Sequence, residues 1–307
     1  MKQQPFVHPM LVMTTGIFAA STASIFIRYA QVYTPSLVIA AYRLGLATLI
    51  LAPFALARYH KAIFAMTRKE LTLALLSGFF LALHFATWIS SLEFTTIASS
   101  VVLVSTTPLW VALISPFTIK ESITSSVKIG MLVALLGGGI VAVSDSCVWS
   151  ATILKCPGLS TFLNGKAFLG DLLALCGSLM GASYLLIGRS LRHKMSLIHY
   201  VFVVYGMAAV VLVGFVLVAR LPAFDYPAQA YVWFLLLALL PQLLGHSSFN
   251  WALRYISAGY VSTALLGDPI ASTILAYFLL GEAPGILKIF GAILILAGIY
   301  MAARSEK

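Results

Sequence analysis

The sequence predicts an all-α integral membrane protein with ten transmembrane helices, arranged as an inverted repeat of two five-helix halves. Three observations predict it. Of 307 residues, 61% are hydrophobic and only 9% are charged, against about 25% charged in soluble domains, so the chain cannot clothe a core in a water-facing shell. Apolar windows of roughly 20 residues, the length that crosses a hydrocarbon layer, recur ten times along it. The chain also matches itself at an offset of 161 residues, without a gap.

The windows fall at 9–30, 36–57, 71–91, 95–119, 125–144, 167–190, 196–219, 230–253, 257–280 and 284–303. Each is expected to be helical, because a backbone in lipid must satisfy its own hydrogen bonds. The first is too long for the apolar core of a cleavable signal and lacks an A-x-A site, so it is read as a span. Residues 145–166 form the polar linker that separates a first repeat, 1–144, from a second, 167–307.

Orientation follows from lysine and arginine placement. With the N-terminus inside, the inner segments hold Lys2, Arg58, Lys61, Arg68, Lys69, Lys120, Lys128, Arg189, Arg192, Lys194, Arg254, Arg304 and Lys307. The outer segments hold only Arg28, Lys155, Lys166, Arg220 and Lys288. Both termini are therefore expected in the cytoplasm, and the protein in the cell (inner) membrane. The net charge of +10 is spread over these loops and forms no basic, aromatic-interleaved face, which argues against nucleic acid as a partner. Cys147 and Cys156 lie in the outer linker, where an oxidising compartment leaves open a disulfide or two unpaired thiols. Cys176 lies within a span and is read as packing.

The offset of 161 aligns Gly16 with Gly177, Arg28 with Arg189, Pro108 with Pro269, Glu121 with Glu282, Gly130 with Gly291 and Gly137 with Gly298. Five spans per half is an odd number, so the second half is inverted relative to the first, an architecture that builds a central site with alternating access. Two polar stretches are placed almost in register by the same offset: LHFATWISSL at 83–92 and LGHSSFNWAL at 244–253. His84 and Trp88 share a helix face, as do His246 and Asn250. Each histidine is expected about 5 Å from the midplane, on opposite sides. Together they read as the walls of a solute-binding cavity, or else as hydrogen-bonding glue between helices, worth about 0.6 kcal/mol each.

Asp268 is the sharpest residue. A charged aspartate near the centre of a span costs roughly 2.5–3.5 kcal/mol, and Pro269 follows it, breaking the helix and freeing carbonyls. The pair reads as a site for a proton, a cation or an amine, with Asp268 the candidate coupling residue, or as a protonated carboxyl bonded to freed backbone. Its counterpart Thr107, before Pro108, is uncharged, so any carboxylate site is single. Arg43, inside the second span, pairs with a carboxylate, attracts an anionic group of the solute, or snorkels to the interface. Arg28 and Arg189 read as anchors at span ends. Glu121 and Glu282 read as structural, each at a helix N-terminus or bridged to a lysine. The small residues of GSLMG at 177–181, the GGG run at 137–139, Gly130, Gly291 and Gly298 read as scaffold or as the surface of a homodimer.

These landmarks in order resemble the drug/metabolite transporter superfamily, EamA type, over essentially the full length. The matching features are Pro35 with Arg43, SLEFTTIASSVVLVSTTPLW at 91–110, Glu121, Gly130, Gly137, NWALRYISAGYVSTALLGDPIASTILAYFLLGE at 250–282, Gly291 and Gly298. The resemblance implies ten helices in an inverted repeat, cytoplasmic termini and movement of small metabolites, often export of amino acids. Many relatives carry Glu-Pro where this chain has Asp268-Pro269, one methylene shorter.

Substrate-binding residues are thus expected at His84, Trp88, His246, Asn250, Asp268 and Arg43, with helix breaks at Pro108 and Pro269 and a small polar or aromatic zwitterion as solute. Few fixed cations beyond Arg43 argue against a polyphosphate. No cofactor, metal or ATP use is expected, since the chain has no H-E-x-x-H, G-x-S-x-G or glycine-rich phosphate loop. A metal-dependent membrane enzyme, a channel and a scaffold are the rival classes. A channel would want rings of repeated charge, and a scaffold would have no use for Asp268 or the histidines.

Overall fold

A computed structural model describes residues 7–118, 125–144, 148–150, 153–155 and 163–304. Glu121, Cys147 and Cys156 lie outside the described residues. Eight helical segments are long and apolar enough to cross a membrane. They are α1 (Pro9–Gln31), α2 (Ser36–Phe64), α3 (Arg68–Ser91), α4 (Ile97–Thr118), α6 (Lys166–Arg192), α7 (Leu197–Val218), α8 (Ala228–Ala252) and α9 (Ala258–Leu280). Two further apolar helices, α5 (Ser125–Ser144) and α10 (Ile286–Arg304), pack along each other. The chain is a multi-pass helical membrane protein.

Four of these helices are interrupted. α1 turns at Thr22 between Pro9–Ser21 and Ala23–Gln31. α4 is two pieces, Ile97–Val104 and Thr107–Thr118, and α9 is likewise Ala258–Ala264 and Gly267–Leu280. Pro108 and Pro269 are the second and third residues of the resumed helices. In a first turn the missing N–H has no intrahelical partner to lose, so proline is tolerated there. The turns Ser105-Thr106 and Leu265-Leu266 are where the ladder opens. α8 loosens into a π-helical stretch, Ala238–His246, around Pro241, a conformation that often re-aims side chains at functional sites. The linker carries two short antiparallel strands, β1 (Val148–Ser150) and β2 (Ile153–Lys155), paired with Trp149 in register with Leu154. Val, Trp and Ile are residues that suit a pleated ribbon.

Each helix finds its main partners in the other half: α1 packs on α8, α3 on α6, α2 on α7, α4 on α9 and α5 on α10. The contacts repeat at the 161-residue offset. A Cβ at Gly16 would meet Ser248 and Phe249, and one at Gly177 would meet Thr87 and Trp88, the same positions in exchange. Gly137 lies against the Gly291 carbonyl and Gly298 against that of Gly130. Arg28 donates to the carbonyl of Leu92, and Arg189 to that of Leu253. Since lipid tails are as apolar as leucine, such close backbone approach through small residues supplies the packing that holds the halves together. Cys176, expected to pack, is a free and exposed thiol on α6.

At the start of α3, Thr67 Oγ1 accepts the Glu70 amide at 3.2 Å while Glu70 Oε2 accepts the Thr67 amide at 3.0 Å. This capping box satisfies two otherwise orphaned donors. Thr67→Ala is expected to cost about 1 kcal/mol and to lower the thermal midpoint in detergent by about 2–4 °C. No change would mean that water replaces the cap.

Candidate functional site

Where the breaks in α4 and α9 face α1, α2, α3 and α8, they leave a cavity of about 80 Å³. Its lining includes Arg43, His84, Trp88, Thr107, His246, Phe249, Ser262 and Asp268. Five of the six residues expected to bind solute are therefore brought together. The sixth, Asn250, is buried behind the wall: its Nδ2 donates to the Tyr184 hydroxyl and, at 2.8 Å, to the His246 carbonyl. Those two bonds consume both amide protons.

Asp268 sits in the first turn of the resumed half-helix of α9, where the helix dipole favours a negative group. Its Oδ1 accepts from Ser21 Oγ at 2.7 Å and Ser272 Oγ at 3.1 Å. Arg43 is 0% exposed. Its Nε donates to Gln242 Oε1 at 2.8 Å, and its guanidinium carbon lies 4.1 Å from the centroid of the Phe85 ring, a cation–π contact. Among the described residues Nη1 and Nη2 have no hydrogen-bond partner. No ion pair within 4.0 Å joins Arg43 to Asp268. Arg43 thus neither snorkels nor pairs with a carboxylate among the described residues.

The two histidine rings approach to 6.2 Å between centroids. His84 stacks near Trp88 at 6.0 Å, and Phe85 lies against His246 at 5.1 Å. The His84 Nδ1 is 2.8 Å from the Gly177 carbonyl, a contact that places a proton on Nδ1 because a carbonyl only accepts. Gly181, with its Cβ position 3.0 Å from His84 Nδ1, makes room for the ring. The small residues of GSLMG therefore serve the cavity wall as well as the scaffold.

Sequence reasoning passed over Gln242 and Phe85. Gln242 had a signal, a polar residue beside Pro241 within a span. Phe85 had a subtler one: it is the residue that the 161-residue offset aligns with His246. Arg192, read only as an inner charge, is buried at 1% exposure and donates to the carbonyls of Asn250 and Met195. Just past that helix, partial burial first and then Arg189, Arg254 and Arg192 hold His193 below the usual imidazole value.

At the opposite end of the bundle Glu282 is structural, though its cation is an arginine. Its Oε1 is 3.3 Å from Arg28 Nη2, and its Oε2 accepts the Ile97 amide at 3.0 Å, at the N-terminus of α4. Lys288 donates to Thr96 Oγ1 at 2.7 Å beside it. Among the described residues no three His, Cys, Asp or Glu side chains converge as a metal site would require.

A helical bundle with broken helices around a charged central cavity defines a membrane transporter. The chain belongs to the EamA-like transporter family, whose model matches residues 9–143 and again 168–304, and so to the drug/metabolite transporter superfamily. A solved structure described only as "Crystal structure of protein" is similar in fold, with a TM-score of 0.65 at 16% identity, covering 96% of this chain and 97% of that one. Among curated proteins none matches the chain.

Proposed function

We propose that the protein is a secondary transporter of small polar metabolites such as amino acids, an exporter or facilitator working by alternating access around the midplane cavity. The observation that carries this reading is that Arg43 and Asp268 line one small cavity without bridging each other. A cation and an anion kept apart inside a membrane are costly, and a polar solute that touches both offsets that cost. The aromatic wall of His84, Trp88, His246 and Phe249 suits the apolar part of such a solute.

The frame of the reading is ten membrane crossings in two inverted five-helix repeats, 1–144 and 167–307, joined by the linker 145–166. Reciprocal contacts at one offset, i to j′ and j to i′, accompany a two-fold relation, and the glycine pairs across the halves support that reading, while the arginines repeat one contact within each half. With an odd number of spans in each half, that axis lies in the membrane plane. The lysine and arginine distribution favours cytoplasmic termini in a cell membrane.

The test is uptake of labelled amino acids and other small metabolites into proteoliposomes, with and without an imposed pH gradient. Saturable uptake of at least one amino acid, absent from empty liposomes, is expected. Uptake of none, with intact folded protein in the membrane, would remove the proposal.

A further inference from the structure

We infer that the cavity selects solutes carrying a free carboxylate and a free ammonium together, the carboxylate seated on Arg43 and the ammonium on Asp268. This rests on the transport reading above and narrows its substrate to unmodified zwitterionic amino acids. The state of the Arg43 guanidinium is the first ground. Gln242 holds it by Nε and Phe85 covers one face, so one edge and one face are committed. What remains is the edge made by Nη1 and Nη2, both buried and without a partner among the described residues. That edge is the fork that two carboxylate oxygens fit in parallel. Buried donors left unmatched are rare in folded proteins and point to a partner.

Trp88 adds a second donor of the same kind: it lines the cavity, and its buried Nε1 has no acceptor among the described residues. Unmatched donors in the lining call for an acceptor-rich, anionic group.

Asp268 has the opposite need. Asp268 Oδ1 is occupied by two serine hydroxyls, while no hydrogen bond involves its Oδ2 among the described residues, and the side chain keeps access to the cavity. An ammonium group supplies donors there. A simple amine would leave the guanidinium unmatched, and a simple acid would leave the carboxylate unmatched. Sites built to bond a group reject analogues lacking it, because their own polar atoms stay unpaired. A volume of about 80 Å³ is below the roughly 300 Å³ of ordinary ligand pockets. In this conformation a small side chain fits and a large one needs the walls to part.

The test compares two matched series on the full-length protein in detergent and in proteoliposomes: L-alanine with ethylamine and propionate, and L-phenylalanine with phenethylamine and 3-phenylpropionate. Ligand-induced thermal shift and competition with labelled uptake are read for each. The amino acid of at least one series is expected to bind about 100-fold or more tightly than either analogue lacking one group. Arg43→Gln should erase the preference for the amino acid over its amine, and Asp268→Asn the preference over its acid. Arg43→Lys, which keeps charge without the fork, should retain only part of it. If an amine or acid competes within about threefold of its amino acid, or if Arg43→Gln keeps the preference, the inference is overturned while the transport reading stands. If none of the six probes binds or crosses, the inference is overturned; the transport reading falls only if the wider panel of solutes also fails to cross. The wild-type analogue series decides the matter even where Arg43→Gln does not fold.

Discussion

Replacing Asp268 with asparagine is expected to reduce gradient-driven accumulation of solute to simple equilibration. Asparagine keeps the size of the side chain and an oxygen for the Ser21 and Ser272 hydroxyls, so the local fold survives. It cannot take up or release a proton. One pH unit is worth 1.36 kcal/mol per proton, so a gradient of about two units supports up to about 100-fold accumulation at one proton per solute. Wild-type proteoliposomes should approach such a ratio, and the variant should stop near unity. Counterflow, which needs no proton, should persist in the variant if the cavity still binds. Equal accumulation by both proteins would make Asp268 a structural hydrogen-bonding group. Equilibration by both would make the protein a facilitator.

The second large effect is expected from packing. Gly298 on α10 lies against the Gly130 carbonyl, with the Ala134 amide nitrogen 2.7 Å from where its Cβ would stand. Those neighbours are backbone and cannot rotate away. Gly298→Leu must therefore separate α5 from α10, at the cost of overpacking, about 1–3 kcal/mol, and should lower the thermal midpoint in detergent by about 5–10 °C. Gly139→Leu is the control: nothing lies within 4 Å of a Cβ there, and the midpoint should hold. Equal behaviour of the two would mean that α5 and α10 do not rely on the glycine contact.

Much of the class was legible from the chain alone. Few charges and apolar windows of membrane length mark a helical membrane protein, because lipid leaves a backbone no other way to satisfy itself. The ordered landmarks from Pro35 to Gly298 announced the EamA-like family, and the family model matches both halves. Arg43, His84, Trp88, His246 and Asp268 stood out as residues lipid would reject, and such residues gather where they are shielded from it.

What the sequence by itself determined was therefore what each segment had to be and which residues could not face lipid. Which of those residues meet was decided only in three dimensions. Asn250 shares a helix face with His246 in one dimension, yet its amide protons go to Tyr184 and a carbonyl. Arg43 had three open roles, and the choice fell to Gln242, 199 positions away, and to Phe85. The histidines were placed on opposite sides of the midplane by helix rise alone, but their rings come within 6.2 Å. The physical reason is that helical period and hydropathy are local quantities, carried by neighbours along the chain. Hydrogen bonds and ring contacts between helices depend on crossing geometry, on the π-turn near Pro241 and on glycines that let backbones touch, and these exist only once the two halves have packed.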